Sequence, residues 1–152
     1  MDLVAGEATD ILMVIGLDDL AAFDDPRRFT AHLALGGGLD PTWLDLFAEA
    51  ARTVTGADDP TDFIDARLEL EAPDHDERTV ERVDPSWITS VAMIADHHLD
   101  AIAGRWIALV EDEIGELPRE EKPWIRDLAG RILVFCRAAD RAPDVLFAWS
   151  LR

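Results

Sequence analysis

A repeated helix-start pattern is the feature that most constrains the fold of this chain. Residues 40–44 read DPTWL, residues 84–88 read DPSWI, and residues 123–125 repeat the pattern as PWI. Asp before Pro is typical of a helix start, because the carboxylate caps free N–H groups and Pro fits the first helical position. After each Trp, apolar residues recur at i, i+3, i+4 and i+7, which lie on one helix face. The pattern predicts three amphipathic helices, each with a buried Trp near its start, namely Trp43, Trp87 and Trp124.

Further helices follow from the same periodicity and from the Gly and Pro residues that bound them. One apolar stripe runs from Ile88 to Val110, so a single helix of about seven turns is expected from Pro85 onward. We expect about five helices, at 17–25, 26–35, 40–54, from Pro85 to near Gly115, and at 123–139. His32 in the second of these and Cys136 in the last lie among apolar residues, so both are expected to be packed side chains.

Strand patterns occur in two parts of the chain. Residues 64–72 alternate strictly between apolar and charged, which predicts a strand with one wet face. Residues 78–83 are expected to return as its partner, with Glu69 and Glu71 opposite Arg78 and Arg82. The apolar segment 144–151 is typical of a strand covered on both faces, and 10–16 fits either a buried strand or the start of a short helix.

These elements together predict an α+β fold. We expect a single, predominantly helical globular domain over 1–152, with about five helices packed on a small sheet. That sheet consists of the hairpin near 64–83 plus a C-terminal strand at 144–151.

The charge of the chain narrows the classes of function. It has 32 acidic and 14 basic residues, for a net charge of −18. Such a charge repels nucleic acid and anionic membranes, since binding to phosphate needs clustered Lys and Arg. The acidity itself fits three explanations: biased coding in a bacterial or archaeal GC-rich genome, adaptation to a salt-rich cytoplasm, or an acidic face that binds a basic partner.

Three further features of the sequence indicate the cellular compartment. No apolar run approaches the roughly 18 residues that a membrane span needs. Asp2 and Glu7 stand where a signal peptide would carry basic residues, and the single Cys136 fits a reducing compartment. We therefore expect a cytoplasmic protein with no membrane partner.

A second set of residues suggests metal chemistry. The tripeptide Asp96-His97-His98 resembles the Asp-His-His motif of the phosphoesterase family named for it, in which acidic residues and His hold a divalent metal. The resemblance covers these three residues, and the further Asp-rich motifs of that family have no counterparts in this chain. With Asp100 added, and with Glu49 or His32 supplied by another element, the segment predicts as an alternative a small metal-dependent hydrolase.

An acidic cluster supports the preferred hypothesis. We use this name for the six carboxylates around the expected end of the long helix: Glu111, Asp112, Glu113, Glu116, Glu120 and Glu121. Carboxylates at a helix C-terminus oppose the helix dipole, so helix stability does not explain a cluster at that place. With no catalytic constellation and no nucleotide-binding motif, we expect a non-enzymatic protein without cofactor that binds a basic protein through this surface, such as an inhibitor, an immunity-type protein or an adaptor.

Overall fold

The structure is a computed structural model that describes residues 1–36, 39, 41–69 and 79–149. The strands are β1 (Asp2–Gly6), β2 (Ala31–Ala34), β3 (Arg67–Glu69), β4 (Thr79–Val83) and β5 (Asp144–Trp149). The helices are α1 (Ala8–Gly16), α2 (Thr42–Thr55), α3 (Phe63–Ala66), α4 (Pro85–Ala92), α5 (Leu99–Ile114) and α6 (Lys122–Ala139). Two short 3-10 turns lie at Leu20–Asp24 and Asp96–His98.

The strands form one antiparallel sheet in the order β2-β1-β5-β4-β3. Its central strand is β5, which is apolar along most of its length. Val145 and Phe147 belong to the main core, with residues of α2, α4, α5 and α6, whereas Leu146 and Ala148 belong to a smaller core with residues of α1. The prediction of a strand covered on both faces is therefore confirmed for 144–149, and the predicted α+β class is confirmed for the fold.

Two of the predicted helices are confirmed. The predicted helices at 40–54 and 123–139 correspond to α2 and α6, although the expected cap Asp40 lies outside the described residues. Trp43, Trp87 and Cys136 are buried as expected. Trp124 is not, because the first buried residue of α6 is Ile125 and the indole is 41% exposed.

The predicted helix at 26–35 is wrong, because its second half is the strand β2. Backbone N–H groups of Arg28 and Phe29 bond to the carbonyl oxygen of Asp25, but the N–H of Thr30 already bonds to Ala5 of β1. The strand β1 was itself not predicted, since its central residues are buried on both faces and show no alternation. The segment 10–16 belongs to the helix α1, and 17–25 contains a 3-10 turn in place of the expected helix.

The prediction of one continuous helix from Pro85 to near Gly115 is also wrong, because the helix is interrupted between α4 and α5. The side chain of Arg137 donates hydrogen bonds to the carbonyl oxygens of Ala92 and Ile94, at 3.4 and 2.6 Å. These bonds satisfy backbone oxygens that a continuous helix would have paired internally. An arginine on another helix thus stabilises a break that local periodicity does not predict.

The hairpin is confirmed in part. Arg67 pairs with Val83 and Glu69 with Glu81 in the β3–β4 register, whereas Glu71 and Arg78 lie outside the described residues. The start of the predicted strand is wrong, since residues from Phe63 form the short helix α3. Phe63 and Ala66 are buried at helical spacing while Ile64 between them is exposed, and this packing overrides the alternation.

Candidate functional site

The acidic cluster lies at the junction between α5 and α6. Glu111, Asp112 and Glu113 occupy the last turn of α5, Glu116 lies in the connection, and Glu120 and Glu121 immediately precede α6. Gly115 ends α5 with a φ of 95°, a backbone conformation that residues with a side chain rarely adopt. The cluster is exposed apart from the half-buried Glu111.

The two ends of the cluster differ in their electrostatics. The three carboxylates of α5 lie at a helix C-terminus whose last turn contains no basic residue, so they oppose the helix dipole and repel one another. Glu120 and Glu121 lie at the N-terminus of α6, where negative charge is favourable. The negative charge of one carboxylate is compensated, because Glu111 forms an ion pair with Lys122 at 3.2 Å.

Two exposed apolar side chains flank this junction. Ile114 is the last residue of α5 and is 61% exposed, and Trp124 lies in the first turn of α6. The Glu111–Lys122 ion pair connects the last turn of α5 to the first residue of α6. The junction therefore presents an indole and an aliphatic side chain among carboxylates, which sequence periodicity missed by predicting Trp124 as buried.

The four residues of the metal alternative lie close together in the chain. Asp96, His97 and His98 form the 3-10 turn, and Asp100 lies in the first turn of α5. Asp96 accepts a hydrogen bond from Arg137 at 2.7 Å, and Asp100 accepts one from Arg126 at 2.8 Å. Across the described ranges, no group of three or more His, Cys, Asp and Glu side chains is arranged to hold a metal ion.

The two residues proposed to complete a metal site lie elsewhere. Glu49 is exposed on α2. His32 lies on β2, where its Nε2 contacts Asp2 and its Nδ1 contacts Asp24, both at 2.8 Å. The hydrogen bond to Asp2 is the largest cause of a raised pKa for His32, and Asp24 adds to it, while partial burial acts in the opposite direction. His32 thus links three segments through hydrogen bonds from both ring nitrogens, which agrees with the hydrogen-bonded, packed histidine that the sequence predicts.

A groove between β2 and α6 was not predicted. It has a volume of about 520 Å³ and is lined on the α6 side by Arg126, Arg131 and Arg137. Gly130, Leu133 and Val134 lie between these arginines. Residues 126, 130, 133 and 137 lie on one face of α6, and this spacing is visible in the sequence. The sequence does not show that β2 lies opposite this face, so the spacing alone does not predict a groove.

None of the helices in the described ranges combines the length and apolar character that a membrane span requires. Comparison of the chain with family models, curated proteins and solved structures finds no match.

Proposed function

We propose that this protein is a non-enzymatic, cytoplasmic protein that binds a basic protein partner through the acidic cluster. The observation that carries the proposal is the α5–α6 junction, where the exposed residues Ile114 and Trp124 lie in the same stretch of chain as the exposed carboxylates of the cluster. An inhibitor, an immunity-type protein or an adaptor would use such a surface.

The carboxylates of the cluster supply attraction and orientation. Charge complementarity accelerates association and selects among partners, and added salt weakens it. Asp112 and Glu113 carry an electrostatic cost at the C-terminus of α5, so their presence is more easily explained by a partner that neutralises them than by helix stability.

The apolar side chains supply contact area at the centre of the surface. Trp is enriched among residues that dominate binding energy, particularly where a rim of polar groups excludes water around it. Trp124 has an exposed indole within the first turn of α6, next to Glu120 and Glu121. We assign Trp124 the role of anchor and the carboxylates the role of rim.

The test compares two variants that change net charge equally. The cluster variant replaces four exposed carboxylates and leaves the Glu111–Lys122 ion pair intact: Asp112→Asn, Glu113→Gln, Glu116→Gln and Glu120→Gln. The control variant neutralises four exposed carboxylates elsewhere: Glu7→Gln, Asp19→Asn, Glu49→Gln and Asp58→Asn. Partners are captured from lysate with the wild type, purified, and measured for affinity at low and physiological salt.

We expect the control variant to keep its partner and the cluster variant to lose most of its affinity, while both remain folded. Association of the wild type should slow as salt is raised. Equal affinities for all three proteins would exclude the cluster as a docking surface. An equal loss in both variants would show that only net charge matters.

A further inference from the structure

The groove between β2 and α6 lies outside the acidic cluster and combines arginines with an apolar surface. We propose that it binds an amphipathic organic anion, namely a monocarboxylate with an apolar body the size of a medium-chain fatty acid. The carboxylate is received by Arg131 and its neighbouring arginines, and the apolar body lies along Leu99, Leu133 and Val134.

Cationic side chains are scarce in this chain, yet three of them line this one groove, together with the two carboxylates Asp96 and Asp127. The whole chain has 14 basic residues against 32 acidic ones. Arg131 is exposed and forms no hydrogen bond or ion pair within the part of the chain that the structure describes. Asp127 lies one helical turn before it and also lines the groove, but these two described side chains form no ion pair. Arg131 is therefore the available cation.

The other two arginines are held in position and retain free donors. Arg137 donates from Nε to Ala92, from Nη2 to Ile94 and from Nη1 to Asp96. Arg126 donates through Nε to Asp100, and its Nη2 contacts the same carboxylate oxygen. A guanidinium carries five N–H groups, so both side chains have N–H groups left for a carboxylate. His32 also lines the groove, but both of its ring nitrogens are already engaged by Asp2 and Asp24, so the imidazole has no ring nitrogen left for a ligand.

The apolar part of the groove determines which kind of anion fits. Val134 is 65% exposed, Leu99 is half-buried and Leu133 is buried beneath them. An inorganic anion would leave this surface in water, whereas a hydrocarbon body covers it. The volume of about 520 Å³ lies within the usual range of small-molecule sites, roughly 300–1,000 Å³.

The test uses octanoate as the probe and full-length, isotope-labelled protein. Octanoate is titrated by amide NMR and by calorimetry, in parallel with octanol, octylamine and inorganic phosphate. We expect octanoate to shift amides of α6 between 126 and 138 and of β2, and to bind more tightly than each of the other three compounds.

Two variants test the two halves of the site. Arg131→Gln should weaken octanoate binding about tenfold, the loss expected for one charge-assisted contact. Val134→Ser should weaken octanoate but not phosphate. The matched control is Arg105→Gln, which removes one exposed arginine from α5 outside the groove and should leave octanoate binding unchanged. All three replaced side chains are exposed, so folding is expected to persist and is verified by the amide spectrum.

Several outcomes would overturn the proposal. Equal binding of octanoate and octanol would remove the role of the arginines, and equal binding of octanoate and phosphate would remove the role of the apolar surface. Equal losses in Arg131→Gln and Arg105→Gln would reduce the effect to net charge. An absence of shifts in α6 and β2 would exclude the groove itself.

Discussion

The indole N–H of Trp106 donates a hydrogen bond to the backbone carbonyl oxygen of Trp43 over 2.8 Å. Both side chains are buried, and their rings lie nearly perpendicular with centroids 6.4 Å apart. The bond connects the middle of α5 to the first turn of α2. This hydrogen bond stabilises the packing of the two Trp residues, in addition to the burial of their apolar surface.

Replacing Trp106 tests this contact. Trp106→Phe removes the donor and part of the buried ring, so we expect a loss of about 2 kcal/mol or more in the free energy of unfolding. The matched control is Trp124→Phe, whose indole is partly exposed and which should change stability by less than about 0.5 kcal/mol. Urea denaturation of both variants measures the difference, and equal midpoints would contradict the role of Trp106.

Asp84 tests the helix-start pattern directly. Its Oδ1 accepts a hydrogen bond from the N–H of Ser86 at 2.9 Å, at the start of α4. Asp84→Ala should cost about 1 kcal/mol, because the start of α4 loses its cap, whereas Asp84→Asn keeps an acceptor and should cost less. If thermal and urea unfolding do not separate the two variants, the cap contributes nothing to stability.

The ion-pair network of His32 predicts a dependence of stability on pH. Both ring nitrogens contact carboxylates, so both hydrogen bonds form together only in the protonated imidazolium. The pKa of His32 is raised from its ordinary 6.5, first by the hydrogen bond to Asp2 and then by Asp24. A group whose pKa is raised on folding contributes its full stabilisation of the folded state at a pH below its pKa in the unfolded chain. This contribution is lost as the pH rises through the pKa of the group in the folded protein.

We therefore expect the stability of the wild type relative to His32→Gln to fall as the pH rises above 6.5, the ordinary pKa of the imidazole. Urea unfolding of both proteins across this range measures the difference. His97→Gln is the control, because His97 is exposed and forms no hydrogen bond to a carboxylate in the described ranges. A difference that stays flat or rises with pH would contradict the charged state of His32.

The alternative hypothesis of a metal-dependent hydrolase is tested by measuring the metal content of the purified protein. Since Arg137 and Arg126 already bind Asp96 and Asp100, we expect elemental analysis to find less than about one-tenth of a metal ion per chain. Hydrolysis of phosphate esters should be absent after addition of zinc or manganese. One metal ion per chain that is lost in both His97→Ala and His98→Ala would favour the hydrolase instead.

Sequence periodicity predicted those parts of the fold that depend on local spacing. The helices α2 and α6 were found because their buried faces repeat every three or four residues within one element. The strands β1 and β2 were missed because β1 shows no alternation and β2 is identified by its pairing with β1, which is invisible in either segment alone. The break between α4 and α5 depends on Arg137, which lies more than forty residues later in the chain.

The same distinction applies to the candidate sites. The position of the acidic cluster at the end of α5 was predictable, because Gly115 ends the helix in the expected place. The exposure of Trp124 was not, since its spacing suits a buried face and only the packing of Ile125 shows otherwise. The arginine-lined groove needs β2 beside α6, so no pattern within α6 alone predicts it.

The pairing of β1 with β5 has a consequence for how the chain folds. These neighbouring strands contain residues as far apart as Asp2 and Ala148, so the middle of the sheet joins the two extremes of the described sequence. Contacts of such long sequence separation slow folding, and synthesis delivers β5 after the other four strands of the sheet. During synthesis, Leu3 and Val4 can pair with β2 before their other neighbouring strand, β5, has been made. We expect the repulsion among the many carboxylates to keep these nascent chains apart until β5 completes the sheet.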